Sequence, residues 1–433
     1  MKPTRLEKTY LGLLMVVFGG IVLHAPLSVS LGVLFPHFEL FIKSWKEIFM
    51  VVAVPLLVVI IHRRRLWNEL WSDWLFRLIT AFAALHFILI AIFYQGAAAT
   101  AAGLAIDLRY LLFFCLVYVG IRACPQYRKR FMQVGIAGAT IVVGFAALQL
   151  FLPADILSHI GYGKNTIEPY LTVDKNPNYI RENSTLRGPN PLGAYGAMVL
   201  AFVTAAWVRK REWFTSTKVK FGTGFLTICA AISVWVSYSR SALIAAIIGV
   251  AVVLFVSVMR KISLKTWVIS FAVIFAVAGG LFATKGTSFV SNVILHENPN
   301  GGSSVSSNEG HANSLASGVS EMVHQPLGQG VGSTGSASLF SGSPEIIENQ
   351  YLFVAHETGW LGLALFSIIS ILVLVRSWKR RADWLALGVF ASGIGMLFIG
   401  LLLPVWVDDT VSIVWWGLAA IAIGGEYARK SSK

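Results

Sequence analysis

The chain has 433 residues, of which 56% are hydrophobic and only 13% are charged, and its mean hydropathy is +0.70. Because a soluble domain of this length needs much more polar surface, this composition excludes one and predicts an all-α polytopic membrane protein. The formal charge of +14 lies mostly in short segments between apolar runs, which is a topology signal, so nucleic acid is not an expected partner.

The apolar runs predict about twelve transmembrane helices in a single integral membrane domain, residues 1–433. Their length and their content of Leu, Ile, Val and Ala exclude a transmembrane β-barrel. The first run follows MKPTRLEK directly and is too long for a cleavable signal; it contains HAPLS, where a break is allowed. The predicted spans are 10–35, 46–62, 75–94, 102–122, 131–152, 192–208, 220–237, 241–259, 266–284, 349–375, 383–403 and 411–425.

Lysine and arginine concentrate in alternate connecting segments, for example in RRR at 63–65. The positive-inside rule therefore places these segments and both termini in the cytoplasm, where they can also contact anionic membrane lipids. Two long segments, 153–191 and 285–348, then face outside. The cytoplasmic loops are short and lack a phosphate-binding glycine pattern, so an enzyme site is expected on the outer side.

Cysteine usage points to neither a metal centre nor a disulfide framework. Cys115, Cys124 and Cys229 lie in or beside apolar segments. Their spacing is not that of metal ligands, and none lies in a long loop.

The segment TLRGPNPLGAYGAM places Arg187 just before span six. Asn190 as a cap and Pro191 near the first helical position predict a helix start here. A helix N-terminus beside an arginine is suited to bind an anion such as phosphate. The alternative is an arginine that only extends to the membrane surface.

Two further arginines lie near outer helix ends. In VSYSRSALIA, spans seven and eight meet with almost no loop, and Arg240 lies in the turn. An arginine near apolar surroundings is costly and usually faces a partner or a polar cavity, so a functional role is favoured. In span four, Asp107 and Arg109 do not share a helix face. Arg109 either joins the same cavity or pairs with a carboxylate on another helix.

Span ten brings a carboxylate and an amide to the outer side. Glu348 and Asn349 lie at its outer end, and Tyr351 follows closely. Favourable interaction of Glu348 with the helix dipole is the alternative to a function. For His356, which lies two turns deeper with Glu357, a satisfied buried histidine is favoured over a catalyst.

The loop before span ten contains a short predicted helix from Ala312 to Val323, ended by Pro326 and glycines. His311, Glu321 and His324 belong to this segment, and their spacing is not that of a metal motif. Together with the arginines, these groups predict an outer cavity suited to pyrophosphate, because a guanidinium binds two phosphate oxygens at once. A nearby carboxylate or imidazole could take a proton from a hydroxyl.

At this point the chain resembles the O-antigen ligase/polymerase superfamily, membrane glycosyltransferases of the GT-C type. The resemblance is carried by RGPNPLGAY, SYSRSAL, PLGQGVGSTG and ENQYLFVAHETGWLGL, by about twelve spans, and by the large outer loop between spans nine and ten. It implies that Arg187 and Arg240 bind the pyrophosphate of an undecaprenyl-linked glycan. It also implies inverting transfer without a metal or other cofactor, at the periplasmic face of a bacterial cytoplasmic (inner) membrane.

Ligases of this superfamily share a motif: His, then Asn, Ser or Gln, nine residues, Gly, two residues, and Gly, Thr or Tyr. Asn349, Gly359 and Gly362 fit it, but Glu348 occupies the histidine position. This departure favours the polymerase branch, with Glu348 as the base or as the group that orients the acceptor. His311 stands where many members carry an arginine.

The resulting prediction is a polymerase of O-antigen or another surface polysaccharide, with loop 285–348 covering the site. The alternatives are a ligase that transfers the glycan to lipid A-core or a protein, and a transporter of lipid-linked glycan, for which no internal repeat is seen. Expected partners are the lipid-linked donor, a glycan, lipid A-core or protein acceptor, membrane lipids and, where the pathway has them, a chain-length regulator and a flippase. The predicted substrate-binding residues are Asn190, Arg109, Asn349, Tyr351, His311 and His324.

Overall fold

The computed structural model describes residues 2–258, 287, 290, 307–342 and 344–425; for 258 and 307–312 only the backbone is described. These residues form an almost entirely helical protein with one small β-sheet. The helices are α1 (Arg5–Gly20), α2 (His24–Leu34), α3 (Glu39–Arg64), α4 (Trp67–Trp71), α5 (Trp74–Ile92), α6 (Ala97–Ala123), α7 (Arg128–Gln149), α8 (Pro189–Arg209), α9 (Thr217–Val236), α10 (Arg240–Val258), α11 (Ser307–His324), α12 (Gly335–Ser338), α13 (Gln350–Lys379), α14 (Trp384–Gly400) and α15 (Asp409–Gly424).

The apolar helices agree with the predicted spans wherever the chain is described. Nine helical segments within these ranges are long and apolar enough to cross a membrane, and α14 and α15 are shorter apolar helices. The predicted ninth span, 266–284, lies outside the described residues. The first span is broken as its sequence allows, because a 3-10 turn at Ile21–Leu23 separates α1 from α2.

Ion pairs fasten one end of the bundle, here called the basic end. Asp73, the N-cap of α5, accepts a hydrogen bond from Tyr118 Oη at 2.6 Å and from Arg376 Nη1 at 3.0 Å. Arg122 Nη2 lies 3.3 Å from the same carboxylate. Because these residues come from α6 and α13, the cluster holds three helix ends together.

The opposite end, here called the loop end, carries residues 150–188, 325–349 and 401–408. Within the first of these segments, β1 (Leu171–Val173) and β2 (Asn176–Arg181) form an antiparallel hairpin that the sequence did not reveal. The following turn is anchored to α7, because Ser184 Oγ donates to the Val142 carbonyl at 2.7 Å and Gln149 Oε1 accepts from the Ser184 amide at 2.8 Å.

The core at the loop end is aromatic and surrounds the segment between α14 and α15. Trp406, Trp415 and Trp416 are buried, and the ring centroids of Trp406 and Trp415 are 5.1 Å apart. The Trp406 amide donates to Gln350 Oε1 at 2.9 Å. The segment 401–408 is thereby fixed between α13 and α15, next to the start of α8.

Candidate functional site

Arg187 lies where sequence reasoning placed it, directly before α8. Its side chain is exposed and lines a cavity of about 270 Å³, here called the α8 cavity. Within the described part of the chain, Arg187 makes no hydrogen bond and no ion pair, so its guanidinium fork is open to a ligand. The cavity wall is formed by Asn190, Pro191, Ala194, Ile399, Leu403, Pro404, Val405, Val407, Asp408 and Val411.

The predicted capping role of Asn190 is wrong. The N-cap of α8 is Gly188, and Pro189 already occupies the first turn. Asn190 Oδ1 instead accepts a hydrogen bond from Arg181 Nη2 at 2.6 Å. Because Gly188 occupies the N-cap position, the Asn190 side chain does not cap α8 and bonds the neighbouring hairpin.

A buried ionic cluster lies behind Arg187 and was not found from the sequence. Lys46 Nζ is 3.2 Å from Asp409 Oδ2 and 3.2 Å from Glu47 Oε1. His24 Nε2 is 3.1 Å from the same Asp409 oxygen. The members come from α2, α3 and α15, so charge pairing joins helices that are distant in sequence. The signal that could have indicated the cluster was Lys46 next to Glu47, two charged residues at the start of the predicted second span.

This cluster sets the electrostatics of Arg187. The carboxylate of Asp409 raises the pKa of the Arg187 guanidinium, and Asp408 and Glu47 act in the same direction. The cavity walls, which displace part of the surrounding water although the side chain keeps accessible surface, lower this pKa. Burial raises the pKa of Asp408, and the neighbouring charge of Asp409 raises it further. Arg187 therefore remains fully charged within a mixed acidic and basic environment.

Arg109 lies in the same region. It was expected either to join the cavity or to pair with a carboxylate on another helix, and its contacts include both. Its Nη2 donates to the carbonyl of Val407, a residue of the α8 cavity wall. Its Nη1 lies 4.0 Å from Glu47 Oε1 on α3. The side chain is buried, so Arg109 supports the cavity wall from behind.

Arg240 lies in the predicted tight turn, since α9 ends at Val236 and α10 begins at Arg240. Gly193 allows this turn to approach α8, because a Cβ at that position would lie 2.5 Å from Ser237 Oγ. Gly193, the second glycine of RGPNPLGAY, is thus a packing residue. It brings the two arginine-bearing segments of the sequence together at the loop end.

Arg181, at the end of β2, is an arginine that the sequence analysis missed. Its Nε donates to the Ser237 carbonyl at 2.8 Å, next to the Arg240 turn, and its Nη2 reaches Asn190. Burial lowers the pKa of Arg181 to about 10; Asp174 opposes this effect and Arg240 adds to it. Arg181 therefore links the Arg240 turn to the α8 cavity. The guanidinium groups of Arg181 and Arg240 both interact electrostatically with the carboxylate of Asp174.

Glu182, the next residue, is a second group that the sequence did not indicate. Its side chain is 7% exposed, and burial raises its pKa to about 7. Within the described residues its Oε2 has no hydrogen-bond partner. A carboxyl with this pKa gains and loses its proton near neutral pH.

Asn349 and Tyr351 occupy structural positions. Asn349 is the N-cap of α13, accepting from the Tyr351 and Leu352 amides, and its Nδ2 donates to the Leu401 carbonyl at 2.7 Å. Tyr351 Oη donates to the Leu397 carbonyl at 3.0 Å. These bonds use the polar atoms of both side chains to hold α13 against α14, so the structure gives them a supporting role.

Glu348 lies directly before this cap and is partly exposed. Its amide donates to Ser314 Oγ on α11 at 3.3 Å. Because Asn349 takes the capping role, the carboxylate of Glu348 is not needed for it.

His324 and His356 make different contacts. His324 Nδ1 contacts the Ser320 carbonyl at 2.7 Å on the exposed surface, while the side chain of His311 lies outside the described part. His356 Nδ1 is 2.8 Å from Glu321 Oε2, but neither ring nitrogen of His356 makes a hydrogen bond to another described residue, so the structure does not show the satisfied buried histidine that was expected. This pair fastens α11 to α13.

The segment PLGQGVGSTG packs closely against α13 and α6. The Gly332 and Thr334 amides donate to Glu357 Oε1 at 3.1 and 3.4 Å. Gly332 has a φ of +87°, and a Cβ there would lie 2.3 Å from the Ala99 carbonyl oxygen. This signature therefore serves close backbone packing. Among the described residues no group of three or more His, Cys, Asp or Glu could hold a metal ion.

Comparison with known protein families identifies part of the chain. Residues 225–367 match the family model described as O-antigen ligase. This range contains the Arg240 turn, the glycine-rich loop and the start of α13, whereas Arg187 precedes it. No curated protein matches the chain. This part of the chain is therefore similar to the O-antigen ligase family, which supports the resemblance to the O-antigen ligase/polymerase superfamily.

Proposed function

We propose that the protein transfers a glycan from undecaprenyl pyrophosphate and polymerises the repeat units of O-antigen or another surface polysaccharide at the outer face of the membrane. The observation that carries the proposal is Arg187, an exposed guanidinium without a partner among the described residues, in a cavity at the N-terminus of α8. The helix N-terminus and the guanidinium both favour a bound anion.

The pyrophosphate would lie between Arg187 and the Arg240 turn, with Arg181 linking the two. In an inverting transfer, the acceptor hydroxyl attacks the anomeric carbon from the face opposite the leaving group. The bond from that carbon to the pyrophosphate oxygen breaks as the new glycosidic bond forms, and undecaprenyl pyrophosphate leaves. The arginines stabilise the charge that develops on the leaving oxygen.

The proton of the acceptor hydroxyl must go to a base. Glu348 is proposed for this role because it is partly exposed at the loop end and its carboxylate is not needed for the cap that Asn349 provides. A carboxylate in this position accepts the proton in the same step in which the glycosidic bond forms.

The second candidate function is ligation of the finished glycan to lipid A-core or a protein. The observation that favours it is the description of the matched family model as O-antigen ligase. The two activities share the donor and the pyrophosphate site. They differ only in the acceptor.

The test uses purified protein in liposomes with an undecaprenyl-pyrophosphate repeat unit. A ladder of products from this single substrate supports the polymerase. Transfer that appears only after lipid A-core or an acceptor protein is added supports the ligase. No transfer in either assay, with folded protein and native donor, refutes both.

The arginine site is tested separately with Arg187→Ala and Arg240→Ala. Each should lower kcat/KM about 10- to 100-fold, since a hydrogen bond to a charged group contributes about 1.5–3 kcal/mol. The matched control is Arg211→Ala, an exposed arginine at the basic end, which should retain full activity. Full activity of both site variants at normal expression would refute the pyrophosphate site.

A further inference from the structure

Arg187 also lines a second cavity, here called the α2 cavity. Its volume is about 290 Å³, at the small end of ligand sites. Its wall comes from α2, from the first turns of α3 and from residues 165–167 of the loop that precedes the β-hairpin. Arg187 is thus the side chain common to two cavities.

The two cavities differ in chemistry. Apart from Arg187, Asn190 and Asp408, the α8 cavity is lined by aliphatic side chains and proline. The α2 cavity also has aliphatic lining residues, but it adds polar side chains from three elements, including Ser28, Lys43 and Asn165. Hydroxyl-rich molecules need such converging donors and acceptors, whereas an isoprenoid chain needs an aliphatic wall.

We propose that the α2 cavity binds the sugar residues of the donor that lie nearest the pyrophosphate. Arg187 would hold a phosphate at the junction, and the first isoprenoid carbons would lie along the α8 cavity. This assignment rests on the proposed function and adds the direction in which the donor lies across the site.

The polar side chains of the α2 cavity differ in whether they already have hydrogen-bond partners within the described protein. The ring nitrogens of His24 are already engaged, since Trp45 Nε1 donates to Nδ1 at 3.1 Å and Asp409 lies beside Nε2. Asn165 is exposed and makes no side-chain hydrogen bond to another described residue. Its amide is therefore free to donate to, and accept from, a sugar hydroxyl.

Gly32 provides a way to fill the cavity without disturbing the fold. It lines the cavity on α2, and a Cβ added there would meet only Glu39 Cγ, at an ordinary contact distance of 3.6 Å. The matched control is Gly224 on α9, also inside a helix, where a Cβ would meet nothing within 4 Å. Both glycines can be replaced by leucine with a similar gain in helix propensity.

The experiment measures equilibrium binding of two lipids to purified protein in nanodiscs. One is undecaprenyl pyrophosphate carrying the native glycan, extracted from cells in which this protein is deleted; the other is glycan-free undecaprenyl pyrophosphate. Gly32→Leu should raise the Kd of the glycan-bearing lipid at least tenfold and change that of the glycan-free lipid less than twofold. Gly224→Leu should change neither more than twofold.

Asn165→Ala provides an independent measurement, because it enlarges the cavity instead of filling it. It should weaken the glycan-bearing lipid about fivefold and leave the glycan-free lipid unchanged. Unchanged binding of both lipids in Gly32→Leu and Asn165→Ala overturns the proposal, as does equal weakening of both lipids at an unchanged thermal unfolding midpoint. Selective weakening in a protein that transfers no glycan leaves the sugar site standing and removes the proposed activity.

Discussion

Replacement of Asp409 by asparagine is expected to lower the free energy of unfolding by about 3–5 kcal/mol. Lys46 Nζ lies 3.2 Å from Asp409 Oδ2, and their side chains are 4% and 1% exposed. Two unit charges at this separation attract by about 5 kcal/mol at an effective dielectric constant of about 20. Removing one partner of a buried ion pair typically costs about 3–5 kcal/mol. Since Lys46 Nζ also lies 3.2 Å from Glu47 Oε1, we expect the lower end of this range.

The assay is thermal and denaturant-induced unfolding of the detergent-solubilised protein at pH 7. Asp155→Asn is the matched control, because Asp155 is exposed at the same end of the bundle and its replacement should cost less than about 0.5 kcal/mol. The double variant Asp409→Leu with Lys46→Met should recover most of the loss, since it removes both charges. A change below about 1 kcal/mol for Asp409→Asn would refute the view that this pair fixes α3 to α15.

Three further outcomes follow from single residues. Arg181→Lys and Arg181→Ala should each lower kcat/KM about tenfold or more in steady-state kinetics. An ammonium group cannot make both bonds that the planar guanidinium makes, to the Ser237 carbonyl and to Asn190 Oδ1. Burial raises the pKa of Glu182 from its ordinary value of 4.5 to about 7, so the folded state holds a proton that the unfolded state has released. The free energy of unfolding is therefore highest below about pH 4.5 and falls, by at most about 3 kcal/mol, as the pH rises through 7. Unfolding titrations of Glu182→Gln should lack this dependence. Gly332→Ala should lower the free energy of unfolding by about 2 kcal/mol or more, because a Cβ would lie 2.3 Å from the Ala99 carbonyl oxygen. Gly163→Ala is the control: a Cβ there would meet nothing within 4 Å, so thermal unfolding should be nearly unchanged.

The helices could be predicted from the sequence because a membrane span is a local property. Length and apolar composition alone locate α5, and a serine-rich turn locates the junction of α9 and α10. The hairpin from Leu171 to Arg181 gave no comparable signal, since its short strands are mostly polar and their pairing is not periodic in hydrophobicity.

The site was predictable only in part, because local sequence patterns show helix ends but do not show contacts between helices that are distant in sequence. Arg187 and Arg240 stand at predicted helix ends, where a charge is conspicuous against apolar sequence. The ionic cluster of His24, Lys46 and Asp409 depends on contacts among α2, α3 and α15, and no local pattern encodes such pairing. Likewise, the bond from Arg181 to Asn190 depends on how the hairpin folds back over α8.

The charges around Arg187 explain why its guanidinium is stable near the membrane surface when no ligand is bound. The neighbouring cations and carboxylates are equal in number: Lys46, Arg109 and Arg187 against Glu47, Asp408 and Asp409. Since an uncompensated charge near apolar surroundings is costly, this balance permits Arg187 to remain exposed to the cavity.

A pyrophosphate that enters the site would disturb this balance toward negative charge. Asp408, whose pKa burial already raises, can then take up a proton more readily, because a nearby anion disfavours its ionised form. Proton uptake by Asp408 would offset one of the two negative charges that a bound pyrophosphate diester adds, and departure of the undecaprenyl pyrophosphate would release the proton. If the proposed site binds pyrophosphate, we therefore expect its affinity to rise as the pH falls through the pKa of Asp408.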